Sequence, residues 1–214
     1  MPRASAEREP VRRGELAARQ RRERGDARRR ILDAARELLE ARSWHDVPLA
    51  DVMAAAGLSR TAFYRHFEDR DQLLLALLEH AGLQLQDSGE AWKRGAGEPV
   101  AALRAGLAEL TAAMVEHGRL IQAIVDASGH DPQLRAQYDE LVEGIAAVTA
   151  ERIRLENAAG RAAVDDPDEI ATALVRMSEG YLLTAFGRAV HPDPDRVTRA
   201  LADVWSATIY GREA

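Results

Sequence analysis

The stretch that decides the fold is VPLADVMAAAGLSRTAFYRHFEDRDQL, residues 47–73. Apolar residues recur at helical spacing over residues 49–56 and again over residues 60–67, with a short Gly-Leu-Ser turn between them. Gly57 stands where the first helix must end with a positive φ angle, which glycine adopts without strain. Ser59 is placed to cap the second helix. The stretch therefore predicts a helix-turn-helix, a unit whose second helix enters the DNA major groove.

The second predicted helix carries a polar face rich in hydrogen-bond donors. Ala62, Phe63 and Phe67 fall at core-facing spacings. The other side chains offer hydroxyl, phenol, guanidinium and imidazole groups, which suit phosphates and base edges. They are Arg60, Thr61, Tyr64, Arg65 and His66. The alternative interpretation is an ordinary amphipathic helix with a solvated polar face.

The same stretch resembles the TetR family of bacterial repressors. The shared residues are an apolar pair at 52–53, AGLS at 56–59, YRHF at 64–67 and RDQL at 70–73. Two positions depart from the family pattern. Pro48 stands where Ser or Thr is usual, so no side-chain phosphate contact is expected there, although proline suits a first helical turn. Arg70 replaces a lysine and should still hold a phosphate.

A cluster of three arginines, residues 28–30, opens the first predicted helix, where cations and free N–H groups can meet one phosphate. We expect this cluster, Tyr64 and Arg70 to contact phosphates. Base edges are better suited to Arg60, Thr61 and Arg65. The predicted DNA-binding residues are Arg28, Arg29, Arg30, Ser59, Arg60, Thr61, Tyr64, Arg65, His66 and Arg70.

Length and composition favour two helical domains. The chain has 214 residues, of which 5% are aromatic and none is cysteine. It therefore has neither a disulfide framework nor a thiolate metal site. No apolar run reaches the roughly 18 residues of a membrane span. The Arg-rich N-terminus lacks the apolar segment of a secretory signal, so we expect a cytoplasmic protein.

The charge is unevenly distributed along the chain, whose net charge is −6. Residues 1–70 hold 16 arginines against 12 acidic residues, a balance of +4. Residues 71–214 hold 13 basic against 23 acidic residues, a balance of −10. The positive potential thus lies at the predicted DNA-reading end, and the acidic remainder should repel DNA and orient docking.

The N-terminal residues 1–25 contain eight arginines and little hydrophobic periodicity. This composition predicts a disordered basic arm, with a merely solubilising tail as the alternative. The helix-turn-helix domain is expected at residues 26–73, with Asp26 capping its first helix and Trp44 closing its small core. A ligand-binding and dimerisation domain is expected at residues 74–214.

Helix starts in the second domain are indicated by three Asp-Pro pairs, at 131–132, 166–167 and 193–194. Each pair combines an N-cap with a proline in the first turn. The sequence predicts an all-α fold without a credible strand. The nine predicted helices span residues 26–41, 49–56, 60–67, 69–94, 99–117, 119–128, 132–158, 167–190 and 194–210.

Beyond the helix-turn-helix, LADVWSATIYG at 201–211 and EIATAL at 169–174 resemble the branch of the family that contains the ethionamide repressor EthR. That resemblance implies a long apolar channel filled by an apolar ligand. Several aromatic or Asn positions of the branch are smaller or aliphatic here, which implies a wider, less polar channel. Plain core packing is the alternative for each residue. The implied lining is Leu103, Gly106, Leu107, Leu110, Met114, Tyr138, Val142, Ile145, Val148, Thr149, Val175, Ser178, Leu183 and Trp205.

The last two predicted helices, residues 167–190 and 194–210, are expected to pair two chains. They carry small residues that permit close approach, and Leu201, Trp205 and Ile209 form an apolar stripe at spacings of four. Family members pair through these helices, and a two-fold dimer requires a palindromic operator. A monomer with these faces folded inward is the alternative. The small residues are Ala171, Ala173, Gly180, Ala185, Gly187 and Ala189.

Catalytic chemistry is not indicated. The six histidines form no pair at a spacing of four, and neither a phosphate-cradling glycine motif nor a nucleophile elbow is present. We expect no cofactor and no metal. The predicted function is a DNA-binding transcriptional repressor whose operator binding is relieved by a small, mostly apolar effector in the second domain. The alternative is an architectural or ligand-independent DNA-binding dimer.

Overall fold

The computed structural model describes residues 8–42, 44–188 and 190–211. Over these ranges the chain forms helices joined by turns and loops, without a strand. A short 3-10 turn at Trp44–Asp46 lies between α1 and α2. The nine α-helices of the described chain confirm the all-α prediction. They are α1 (Arg8–Ala41), α2 (Leu49–Ala56), α3 (Arg60–Phe63), α4 (Arg70–Asp87), α5 (Glu90–Lys93), α6 (Pro99–Ser128), α7 (Pro132–Ala158), α8 (Pro167–Phe186) and α9 (Pro194–Tyr210).

The starts of α7, α8 and α9 follow the capping pattern in the sequence. Asp131 Oδ1 accepts a hydrogen bond from the backbone N–H of Gln133 at 2.8 Å, and Asp166 Oδ1 accepts one from Glu169 at 3.2 Å. Asp193 caps α9 in the same way. These bonds satisfy backbone donors that a helix start leaves free. The three predicted helix starts are confirmed.

The first domain packs α1, α2, α3 and the beginning of α4 around one small core. Ile31 and Leu39 of α1 are buried there with Phe63 of α3. Trp44 is buried over the same core, which confirms its predicted role. Leu73, in the first turn of α4, is also fully buried. The long helix α4 is therefore anchored in the first domain at its N-terminal end.

The second domain is built around α6, which packs against α4, α7, α8 and α9. Gly118 lies in the middle of α6, and a Cβ at this position would lie 2.7 Å from the carbonyl oxygen of Phe186. The glycine lets α6 and α8 approach closely, and it does not end a helix. The prediction of separate helices over residues 99–117 and 119–128 is therefore wrong, because α6 is continuous.

The helix predicted over residues 69–94 is interrupted by another glycine. α4 stops at Asp87, and Gly89 adopts a φ of 76° before α5 begins. Gly89 also lies against Gly106 of α6, where a Cβ on Gly106 would be 2.6 Å from the Gly89 Cα. The left-handed turn and the backbone contact together require small residues on both sides. The predicted helix is thus too long.

Three further boundaries differ from the prediction. α1 begins at Arg8, so residues 8–25 are helical and not a disordered arm, because ten of these 18 residues are Arg or Glu, which have high helix propensity. Residues 1–7 of the predicted arm lie outside the described residues. α3 ends at Phe63, and a tight turn through residues 64–66 replaces the predicted last helical turn. α8 ends at Phe186 and not at residue 190.

Replacing Gly57 with alanine should lower the free energy of unfolding by about 1–2 kcal/mol. Gly57 ends α2 with a φ of 63°, and a Cβ costs about that much in the left-handed region. Gly144→Ala is the matched control at an open position inside α7, where the free energy of unfolding should rise by about 0.5–1 kcal/mol. Urea denaturation measures both. A gain in stability for Gly57→Ala would contradict the left-handed cap.

Candidate nucleic-acid interface and a cavity in the second domain

The helix-turn-helix has the local geometry that its sequence predicts. Gly57 donates its backbone N–H to the carbonyl of Ala54 at 3.1 Å, which closes α2. Ser59 Oγ accepts from the N–H of Ala62 at 3.3 Å, so Ser59 caps α3. Thr61 and Arg65 are exposed on the outward side of this unit. The second helix of the motif therefore presents polar side chains to solvent.

Tyr64 is the exposed aromatic residue of this surface, with 52% of its area accessible. Its ring stands edge-on to the buried Phe63 ring, with 5.4 Å between centroids. Arg60 Nη2 donates to the Tyr64 hydroxyl at 3.3 Å, and the guanidinium lies 5.9 Å from the ring centroid. The phenol is held outward beside a cation, and its O–H remains able to donate to a phosphate.

The three arginines of α1 differ in what they contact. Arg28 lies over the Phe67 ring at 5.4 Å, and Arg29 forms an exposed ion pair with Asp26 at 3.3 Å. Arg30 donates to the carbonyl of Ala56 at 2.5 Å and so binds the C-terminal end of α2. All three arginines are exposed, and Arg30 also holds α1 against α2.

Arg70 has a packing role that the sequence did not predict. Its Nη2 donates to the backbone carbonyl of Trp44 at 2.7 Å, and its guanidinium stacks 4.3 Å from the Trp44 ring centroid. Its Nε is buried without a hydrogen-bond partner among the described residues. This side chain fastens α4 to the turn at Trp44, and its predicted phosphate contact stays a prediction.

His66 lies beside the exposed face, with its ring 6.5 Å from that of Phe67. Burial lowers the pKa of His66 below its usual value of 6.5, and the positive charges of Arg24, Arg28 and Arg65 lower it further. The imidazole is thus mostly neutral at pH 7. As a neutral ring it can still donate one hydrogen bond to a phosphate or a base.

A cavity of about 80 Å³ lies inside the second domain, between α4, α6, α7, α8 and α9. Most of its lining side chains are aliphatic or aromatic. Nine of the fourteen residues predicted to line a channel border it: Leu110, Met114, Tyr138, Val142, Ile145, Val175, Ser178, Leu183 and Trp205. Five bordering residues were not predicted: Leu85, Ile121, Leu141, Glu179 and Leu182.

The other five predicted lining residues lie away from this cavity. Leu103, Leu107 and Thr149 are buried, and the Thr149 hydroxyl donates to the carbonyl of Ile145 within α7. Gly106 faces Gly89. Val148 is 47% exposed on the outer side of α7. For these residues, helix packing or solvent exposure replaces the predicted channel contact.

The cavity has one polar edge. Tyr138 Oη donates to Glu179 Oε1 at 2.6 Å, and Arg176 Nη1 donates to the other oxygen of Glu179 at 3.1 Å. Burial, followed by the hydrogen bond to Glu179, raises the pKa of Tyr138 far above its usual value. Trp205 Nε1 donates to Ser178 Oγ at 2.9 Å. These polar groups are satisfied within the protein, so the remaining wall is apolar.

The last two helices turn their predicted apolar stripe inward. Leu201, Trp205 and Ile209 are all at least 95% buried within one chain. They pack in the core because α9 lies against α6, and they cannot form the partner-seeking face that the sequence predicted. The exposed apolar residues of these helices are others, Met177, Tyr181 and Val204, at 39–43% exposure.

The small residues predicted on this pair of helices also divide between the two faces. Ala171 and Ala185 are buried, whereas Ala173 and Gly180 are exposed. Gly187 is half-buried against Gln122 of α6, and Ala189 lies outside the described residues. The outward small residues therefore lie on the same helix as Met177 and Tyr181.

Comparisons with known proteins assign both domains. Residues 31–77 match the family described as bacterial regulatory proteins, tetR family. Residues 103–211 match the C-terminal domain of the transcriptional regulator EthR. Together the fold and these matches define a DNA-binding transcriptional regulator of the repressor type, a class that is not enzymatic. The chain belongs to the TetR family, and its second domain is of the EthR type.

Individual relatives are similar to this chain in sequence or in fold over most of its length. The regulator EthR of Mycolicibacterium smegmatis is 28% identical over 185 residues, which is 85% of either chain. The crystal structure of a regulatory protein TetR from Rhodobacter sphaeroides has a TM-score of 0.67 at 26% identity and covers 86% of this chain and 98% of its own. A regulator from Saccharomonospora viridis, solved in complex with choline, has a TM-score of 0.72 at 22% identity, with 88% and 100% covered.

Among the described residues, no helix combines the length and apolar character needed to cross a bilayer. Groups of three or more His, Cys, Asp or Glu side chains able to hold a metal ion are also absent from this part of the chain.

Two arginines of the first domain should separate structural from DNA-binding roles. Arg70→Gln should lower the free energy of unfolding by about 1.5–3 kcal/mol, because it removes a charged hydrogen bond to the Trp44 carbonyl. Arg65→Gln should change stability by less than about 0.5 kcal/mol. It should weaken operator binding by about 1–3 kcal/mol and relax one base-pair position. Thermal denaturation measures the stability of both variants, and operator titration measures their affinity for DNA. Equal stability losses would contradict these roles.

Proposed function

We propose that this regulator represses transcription until a small, mostly apolar effector enters the cavity of the second domain and weakens operator binding. The observation that carries this proposal is the position of α4. Leu85, near one end of α4, borders the cavity, and Arg70, at the other end, is fastened to Trp44 in the first domain. A single helix of roughly 27 Å therefore joins the effector cavity to the DNA-reading unit.

The contacts along α4 support the proposal that a movement at Leu85 is passed along the helix to the first domain. Gln84, next to Leu85, hydrogen-bonds the buried His117 of α6. A ligand that pushes Leu85 outward must therefore move α4 relative to α6. The other end of α4 carries the Trp44 turn with it, because the Arg70 stack and hydrogen bond hold that turn. The recognition surface of the helix-turn-helix then moves together with that turn.

Such a movement weakens operator binding by a dimer, because the two recognition helices must match half-sites that lie about 34–36 Å apart or at multiples of that distance. The recognition unit would use Tyr64, Arg28 and Arg29 on phosphates and Arg60, Thr61 and Arg65 on base edges. A palindromic operator matches a two-fold dimer. An effector need only prefer the conformer with the wrong spacing, since each 1.4 kcal/mol of preference shifts the equilibrium tenfold.

The dimer is proposed to form through the outer faces of α8 and α9. Met177 and Tyr181 of α8 are exposed one helical turn apart, with Ala173 and Gly180 beside them, and Val204 is exposed on α9. Small residues allow a partner helix to come close, while the larger ones supply apolar area. This face replaces the inward stripe as the candidate contact between chains.

Filling the cavity from within should mimic the effector. Ile145→Trp adds bulk at a residue that borders the cavity, and we expect it to weaken operator binding at least tenfold while the protein stays folded. Val148→Trp is the control, three residues along α7 on the exposed side. It should bind the operator as the unsubstituted protein does. Mobility-shift titration measures affinity, and circular dichroism verifies folding.

Unchanged operator affinity in folded Ile145→Trp would instead favour the second candidate, a ligand-independent DNA-binding dimer. Gly106→Trp is a poorer choice for the same purpose. Its side chain would strike the backbone of Gly89 before reaching the cavity.

The proposed dimer face is tested by placing a charge within it. Met177→Lys should shift the protein from dimer to monomer and reduce operator binding, because a lysine cannot be buried unpaired at such a contact. Leu155→Lys introduces the same charge at an exposed apolar residue of α7 and should leave the dimer intact. Sedimentation velocity at micromolar concentration measures both. A dimeric Met177→Lys protein would assign the contact to another surface.

A further inference from the structure

A second pocket, of about 130 Å³, lies between the loop that follows α5 and the C-terminal end of α7. It shares no bordering residue with the apolar cavity. Two arginines, Arg152 and Arg161, form part of its wall. The remaining lining residues are Trp92, Gly95, Ala96, Gly97, Pro99 and Ala102.

The two arginines share one carboxylate. Arg161 Nε donates to Glu156 Oε2 at 2.6 Å, and its Nη2 donates to Oε1 at 3.2 Å. Arg152 forms an ion pair with the same Oε1. Arg152 is 94% buried and Glu156 is fully buried. Two guanidinium groups against one carboxylate leave an excess of one positive charge in this cluster.

Donors also remain unused at this pocket. Arg152 Nε is buried and hydrogen-bonds no atom within the described part of the chain. A guanidinium carries five N–H donors, more than one shared carboxylate can accept from two arginines. Gly95, with a φ of 70°, runs beside the Arg152 guanidinium, and any side chain there would collide with it. The glycine thus lets the backbone pass close to the cation.

We propose that this pocket binds a small oxyanion, the phosphate or carboxylate group of a small molecule, on the guanidinium groups of Arg152 and Arg161. Planar guanidinium groups bind oxyanions through paired, charge-assisted hydrogen bonds. The volume of about 130 Å³ is several times what one water needs, enough for one such group. The anion neutralises the excess charge and accepts the donors that Glu156 leaves free.

Tyr210 reports the same positive field. Burial raises its pKa, whereas the hydrogen bond from Trp92 and the charges of Arg152 and Arg161 act in the opposite direction. Trp92 Nε1 donates to the Tyr210 hydroxyl at 2.8 Å, which joins the pocket to α9.

The oxyanion pocket is linked to the apolar cavity through two indoles. Trp92 borders the pocket, Trp205 borders the cavity, and their rings meet edge to face at 6.1 Å. An anion that shifts Trp92 acts on the wall of the effector cavity. Any coupling between the two sites is reciprocal, because both ligands bias the same conformational equilibrium.

The test is calorimetric titration of the full chain with sodium phosphate and, separately, with sodium acetate, against sodium chloride at equal ionic strength. One or both oxyanions should bind saturably with one site per chain, and chloride should not. The oxyanion that binds more tightly shows whether the pocket takes a phosphate or a carboxylate group. Arg161→Gln should weaken that binding roughly tenfold or more, since it removes paired charge-assisted bonds.

Arg161→Gln is chosen because it leaves the buried Arg152–Glu156 ion pair complete. Arg154→Gln is the control: Arg154 lies on the same helix but pairs with Glu151 and Asp168 at the surface, and its loss should not change the affinity. Binding of unchanged affinity in Arg161→Gln lies at another site and overturns the proposal. Failure of both oxyanions to saturate the unsubstituted protein overturns it equally.

Discussion

The stacking of Arg70 on Trp44 is the contact on which the two-domain architecture depends. The guanidinium lies 4.3 Å from the indole centroid and also binds the Trp44 carbonyl. Trp44 in turn closes the small core beneath the helix-turn-helix. Because Arg70 is the first residue of α4, this side chain and the buried Leu73 together hold the start of α4 against the first domain. The placement of the second domain depends on this attachment and on the packing of α1 against α6.

The features of the fold that the sequence predicts correctly are those that depend on near neighbours. Ser59, Asp131 and Asp166 cap helices through N–H groups two or three residues away, so their effect is readable in the sequence. Gly118 and Gly89 are not readable in this way. Both resemble helix breaks, yet Gly118 is required by close contact with Phe186, which is distant in the chain. Only Gly89 also ends a helix.

The same distinction divides the candidate sites. The exposed face carrying Tyr64 follows from helical spacing and was predicted, whereas the inward role of Arg70 depends on a carbonyl 26 residues away. In the second domain the predicted residues came from resemblance, and nine of them border one cavity. Leu85 was missed because the contact of α4 with that cavity depends on tertiary packing, which the sequence pattern does not show. Glu179 was missed because a carboxylate seldom borders an apolar wall.

The size of the cavity bears on how the proposed effector would act. Pockets for drug-sized ligands measure about 300–1,000 Å³, and this one measures about 80 Å³. Packed interiors do not stretch continuously, so a larger apolar ligand must separate helices to fit. Leu85 and Trp205 both border the cavity. Leu85 belongs to α4, which leads to the DNA-reading unit, whereas Trp205 contacts Trp92 of the arginine pocket. A tightly packed cavity is therefore better suited to switching than a roomy one, because occupancy and the closed arrangement exclude each other.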